Sequence, residues 1–142
     1  MREMASGIPV CISATIIDGI VLARSAFHHS VNYRSVVVFS KGRKVTDTDE
    51  LYKSLEVFTN KMCQGRWDDV RKPDAGEWKA TMVLAFDIDE ASAKVRTGGP
   101  KDDEADMNLD VWAGVQLVKT TRGGLVPDEL LKHGVEVPNY LK

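Results

Sequence analysis

The chain has 142 residues, of which 43% are hydrophobic and 28% charged, with a formal net charge of −2 at pH 7. That length allows one domain with a substantial core, and the composition is that of an ordinary globular protein. The slight acidity argues against nucleic acid as a partner, since its binders are usually basic. No apolar run approaches a membrane span. Residues 1–9 lack the basic-then-apolar order of a secretory signal. Cys11 and Cys63 are lone thiols without metal-ligand spacing, so buried cysteines in a reduced, cytoplasmic setting are expected.

In chain order, residues 2–7 read as the end of a helix, because Gly7 suits a C-cap and Pro9 prevents continuation. Residues 10–17 are rich in β-branched side chains and read as a strand. Asp18-Gly19 is a favoured two-residue hairpin turn, after which residues 20–25 return as the partner strand. A polar loop follows. Residues 33–45 form a third, long strand; its apolar run over 36–39 implies cover on both faces, and Gly42 suggests a bend or bulge. Residues 46–50 start a helix with Asp47 or Thr48 as its N-cap. Leu51, Leu55, Phe58 and Met62 give that helix a core-facing stripe, and Gly65 ends it.

Residues 66–72 read as a mixed loop, 74–81 as a short helix and 82–88 as a strand. Residues 91–97 form another strand, whose period-two alternation puts Ser92, Lys94 and Arg96 on one face. Residues 98–106 are an acidic, flexible loop with little capacity to pack. Residues 109–120 are the last main strand, and 125–142 a tail that wraps the rest of the fold or a partner subunit.

The chemistry concentrates between residues 28 and 35. His28, His29, Ser30, Asn32, Tyr33, Arg34 and Ser35 crowd hydrogen-bonding groups between two strongly apolar stretches, the way a rigid scaffold presents a ligand site on a loop. Trp67 offers flat, low-entropy contact for a heteroaromatic ligand. The face carrying Lys94 and Arg96 is either solvent-facing or an anion pocket. Asp87, Asp89 and Glu90 lack the spacing of a metal site and read as a solvated turn. Ser30 and His29 are neighbours on an extended segment and point apart, so they do not form a nucleophile pair. There is no glycine-rich phosphate loop.

The order His-His-Ser-x-Asn-Tyr-Arg-Ser-Val-Val-Val over residues 28–38 is followed by Gly65-Arg-Trp-Asp-Asp-Val-Arg71, Glu90-Ala-Ser-Ala-Lys-Val-Arg-Thr97, Val111-Trp-Ala-Gly-Val115 and Val126-Pro-Asp128. Together these blocks resemble the flavin-binding split-barrel proteins of the pyridoxamine 5'-phosphate oxidase-like superfamily, in particular its flavin-nucleotide-binding or nitroimidazole-resistance-like branch. The resemblance covers nearly the whole chain. It implies a mainly β fold with flanking α elements: one split-barrel domain over residues 1–142, with antiparallel strands, one long helix and one short helix. It also implies a homodimer holding FMN in a cleft between subunits. Asn32, Tyr33, Arg34 and Ser35 would bond the ring edge and ribityl chain, with His28, His29 and Ser30 beside them. Trp67 and Trp112 would supply flat packing, and Lys94 and Arg96 positive charge.

The implied activity is flavin-dependent oxidoreduction of a small molecule, the flavin being reduced by a nicotinamide cofactor. Some members of the superfamily bind haem, which makes haem with an axial histidine the alternative cofactor. A cofactor-free dimeric interaction or stress protein is the non-enzymatic alternative. Family members carry a further N-terminal portion of two or three strands and a helix, with a phosphate-holding cluster, so this chain is expected to be short at its start.

Overall fold

The computed structural model describes residues 4–142. In order, the chain forms β1 (Ser6–Leu22), a 3-10 turn (Ala26–His28), β2 (Ser30–Lys44), α1 (Thr48–Met62), α2 (Arg66–Asp69), α3 (Ala75–Ala80), β3 (Leu84–Phe86), β4 (Glu90–Arg96), a second 3-10 turn (Glu104–Asp106), β5 (Gly114–Leu117) and a last one (Asn139–Leu141). The strands that pair with β1 and β2 at known register do so antiparallel. The expected class, mainly β with flanking helices, is what forms.

The first correction lies at the start. From Ser6 the chain is already extended, so no helix ends at Gly7; that glycine keeps a left-handed φ of 80° but uses it inside a strand. Arg2 and Glu3, the other end of the expected helix, lie outside the described residues. The second correction is Asp18-Gly19. No hairpin forms, and β1 runs through both residues. Gly19 pairs with Leu117 of β5, and a Cβ on it would come within 2.8 Å of Val115 Cγ1 and 3.3 Å of the Gln116 carbonyl. The glycine admits a neighbouring strand; it does not make a turn. Gly42 is similar: it stays in regular register opposite Phe86, where a Cβ would meet the Met4 carbonyl at 2.6 Å and the Phe86 ring at 2.8 Å.

The chain divides into two compact units. The first comprises the described part of Met1–Ile8 together with Lys41–Asp87 and Gly124–Lys142. In it the end of β2 pairs with β3, from Gly42↔Phe86 to Lys44↔Leu84. Asp47 caps α1 by accepting a hydrogen bond from the Glu50 N–H at 2.9 Å, as the sequence suggested. Val45 and Trp67 are its buried apolar residues. The expected stripe on α1 is buried only in part: Leu51 and Leu55 are half-buried, whereas Phe58 and Met62 are each 61% exposed. α1 ends at Met62, and Gly65, at φ 84°, starts α2 where a loop was expected. Asp74 and Glu77 form a reciprocal capping box on α3.

The second unit comprises Pro9–Ser40 and Ile88–Gly123. Its strands lie in the order β4-β2-β1-β5. Val21, Ala23 and Asn32 are buried here. The apolar run of β2 is not covered on both faces, since Val36 and Phe39 remain exposed. The reason is geometric: β4 lies beside β2 and satisfies its backbone, and a lateral neighbour does not cover a face. The last strand is shorter than expected, at four residues. Both cysteines are free, and Cys11 is exposed rather than buried. Among the described residues no helix is long and apolar enough to cross a membrane.

Candidate functional site

Strand alternation decides which of the polar residues meet. On β2, Tyr33 and Ser35 share one face and Arg34 takes the other. The antiparallel register sets Arg96 opposite Tyr33, Lys94 opposite Ser35 and Ser92 opposite Val37. Directly opposed residues share a face, so Tyr33, Ser35, Ser92, Lys94 and Arg96 form one polar surface. The expected alternation of Ser92, Lys94 and Arg96 is therefore present. Thr15 of β1 extends the surface, its hydroxyl lying 2.9 Å from that of Ser35. Lys94 is exposed and makes no ion pair among the described residues.

Arg96 is held from behind. Its Nη1 donates to Asn32 Oδ1 at 2.5 Å, and Asn32 Nδ2 donates to the Gly98 carbonyl at 3.0 Å. Asn32 is 8% exposed, and both ends of its amide are bonded to neighbours in the chain. Arg34 sits on the opposite face in a bidentate pair with Asp18, at 2.9 Å for both bonds. The guanidinium beside Asp18 holds that carboxyl below its ordinary value, and the carboxylate holds Arg34 above its own.

The two histidines take different partners. His28 Nε2 lies 3.2 Å from Asp103 Oδ2, and the exposed Phe27 ring stands edge-on to it at 5.3 Å. His29 Nδ1 lies 3.0 Å from the Ser25 carbonyl. A carbonyl only accepts, so Nδ1 is the donor, and in the neutral ring Nε2 carries the lone pair. His29 is exposed. Ser30 opens β2 directly after it.

The loop over residues 98–106, expected to pack little, is instead pinned. The Asp102 carboxylate, 1% exposed, accepts from Arg24 Nη1 at 2.8 Å and from the Arg24 backbone N–H at 2.9 Å. Burial alone would raise that carboxyl; the side-chain and backbone bonds from Arg24 outweigh it and hold the carboxyl below its ordinary value. Arg24, Asp102, Asp103 and Thr15 were not singled out in the sequence. Only Arg24 carried a signal, as a lone charge among Leu22, Ala23 and Ala26 that needs a partner to be buried.

The two candidate tryptophans are placed differently. Trp67 belongs to the core of the first unit: it is 6% exposed, Tyr52 stands edge-on to it at 5.2 Å, and the Lys72 ammonium lies 4.4 Å from its ring centroid and donates to its carbonyl. Trp112 is 69% exposed just before β5, and the space that Gly114 leaves is taken by that indole, whose Cη2 would be 2.9 Å from an added Cβ. The glycine accommodates the chain's own ring.

A groove of about 500 Å³ in the first unit is lined by Glu50, Lys53, Ser54, Val57, Val83 and Leu84. Its charges are already spent, Glu50 on Arg43 and Lys53 on Glu56. Among the described residues no three His, Cys, Asp or Glu side chains converge as a metal site.

The family model described as pyridoxamine 5'-phosphate oxidase matches residues 1–95. No curated protein matches the chain. Two similar solved structures are each 32% identical in sequence. The flavocytochrome Anf3 from Azotobacter vinelandii matches at a TM-score of 0.90, with 99% of this chain and 65% of that one aligned. The FAD and haem binding protein from Mycobacterium smegmatis matches at 0.89, with 98% of this chain and 68% of that one aligned. This chain thus spans less than two thirds of the length of the first and about two thirds of the second.

Proposed function

Because the chain belongs to the pyridoxamine 5'-phosphate oxidase family of flavin-binding split barrels, we propose that it binds FMN against the surface of Tyr33, Ser35, Lys94 and Arg96. The observation that carries this reading is the pair of cations on β4. Alternate strand residues lie roughly 7 Å apart, so Lys94 and Arg96 are spaced to meet one phosphate and its ester oxygens. Neither cation is neutralised by a carboxylate among the described residues. The donor set fits the ligand: an ammonium and a guanidinium for phosphate, and the Ser35 hydroxyl and Tyr33 phenol for a ribityl chain.

Bound flavin supplies two-electron redox chemistry that no side chain here provides. The residues of the chain bind and orient it. On this reading the protein is an oxidoreductase for a small molecule, working in the cytoplasm as a pair of identical chains. Support for pairing comes from apolar residues left open on each unit: Ile16, Val95 and Leu117 on the second, Phe58 and Leu130 on the first. Titrating FMN with the protein and following flavin fluorescence tests the reading, with Lys94→Ala expected to weaken binding.

Haem is the second reading, and one observation favours it. His29 donates through Nδ1 to a backbone carbonyl, which leaves Nε2 as an exposed lone-pair nitrogen, the arrangement in which an imidazole ligates iron. Two similar proteins are named for flavin and haem together. On haem titration His29→Ala is expected to abolish a Soret shift that His28→Ala retains; loss in His28→Ala alone would reassign the ligand.

A further inference from the structure

We propose that Thr15 is the positioning residue that aims the Ser35 hydroxyl at a polyol, so that the polar surface of β2 and β4 selects its ligand by hydroxyl groups as well as by charge. This rests on the flavin reading and deepens it, the polyol being the ribityl chain. Three neighbouring strands supply one row of side chains, with β2 between β1 and β4. Ser35 of β2 is directly opposed to Lys94 of β4. On its other side its Oγ lies 2.9 Å from Thr15 Oγ1 of β1. That contact puts Thr15 on the face of Ser35 and Lys94, since side chains on opposite faces of a sheet point apart. Neighbouring strands lie about 4.8 Å apart, so the row spans roughly 10 Å and runs hydroxyl, hydroxyl, ammonium.

The bond between the hydroxyls changes what Ser35 can do. A lone serine hydroxyl rotates to suit any neighbour. Tied to Thr15, the Ser35 hydroxyl has one direction already fixed. The β-branched Thr15 side chain is stiff at χ1, which steadies its end of the bond. Whichever of the two donates, their mutual bond uses one of two O–H groups. The pair therefore still offers one donor and, beside it, free lone pairs. A polyol hydroxyl both donates and accepts, so it can use both; a phosphate oxygen that only accepts can use the donor alone. Lys94, at the end of the row, has donors only and suits the anion. The hydroxyl pair thus serves the ribityl chain and the ammonium its phosphate.

Comparing riboflavin with lumiflavin, the same ring with a methyl group in place of the ribityl chain, tests this. The wild-type protein is expected to prefer riboflavin. Thr15→Val keeps the shape, suits a strand and removes the hydroxyl; it is expected to lose about fivefold of that preference, the usual weight of one neutral hydrogen bond. Lumiflavin affinity is expected to stay unchanged, and Thr15→Ser to keep the wild-type preference. Ser35→Ala is expected to lose at least as much as Thr15→Val, and Thr15→Val added to it to lose no more. The preference for FMN over riboflavin is expected to fall in Lys94→Ala and to hold in Thr15→Val. A wild-type protein that binds riboflavin and lumiflavin alike, a preference kept in Thr15→Val, or an equal loss for both ligands overturns the proposal and leaves the flavin reading intact. A wild-type protein that binds none of the three flavins overturns both.

Discussion

Asp102 and Arg24 stand 78 positions apart, yet the carboxylate of one accepts both the guanidinium and the backbone N–H of the other, at 2.8 and 2.9 Å. This contact gives the acidic loop a fixed place beside the segment that carries His28 and His29. A second contact, His28 to Asp103, lies next to it but is far more exposed, the Asp103 side chain being 74% open. Two acids adjacent in sequence thus have unequal weight.

Replacing them separates the two roles. Asp102→Ala leaves the half-buried Arg24 without its counter-charge and is expected to lower the melting temperature clearly more than Asp103→Ala, which removes a solvated pair. Thermal melts of both variants check this, and equal shifts would contradict the unequal burial.

Glu77 provides a pH signature. The Arg71 guanidinium, and after it the Asp74 N–H, hold its carboxyl down at about 2 against an ordinary 4.5. A lowered carboxyl contributes stability that is complete above the unfolded value and is lost as pH falls through the folded one. The contribution is therefore expected at neutral pH and should fade between 4.5 and about 2. Glu77→Gln is expected to be less stable than wild type at pH 7, with the gap closing over that acid range. A gap independent of pH would contradict the assignment.

Trp67 is a core residue in this structure, so Trp67→Ala is expected to cost about 3–5 kcal/mol in urea unfolding, the usual penalty for emptying a buried aromatic site. A cost below about 1 kcal/mol would mark it as an exposed aromatic, free to face a ligand.

What could be read in the sequence follows from range. Strand alternation on residues 91–97 and the Asp47 cap are decided by residues a few places apart, and both stand as the sequence suggested. Asp18-Gly19 has every local mark of a turn, yet β5, about a hundred positions later, closes over Gly19 and keeps it extended. The same limit hid the organisation of the site. Asn32 and Arg96 each read as ligand-facing groups, but the bond between them joins residues 64 positions apart, and nothing local says that the amide is already used. Trp67 was likewise legible as an aromatic in a polar segment, and its burial depends on Tyr52 and Lys72 folding against it.

Equilibrium titration of FMN with the purified protein shows whether the surface of Tyr33, Ser35, Lys94 and Arg96 holds a phosphorylated flavin. Saturable quenching of flavin fluorescence, weakened in Lys94→Ala and in Arg96→Gln, is the expected result. Fluorescence that stays at the free-flavin level up to high micromolar protein, or binding that neither substitution alters, would contradict it.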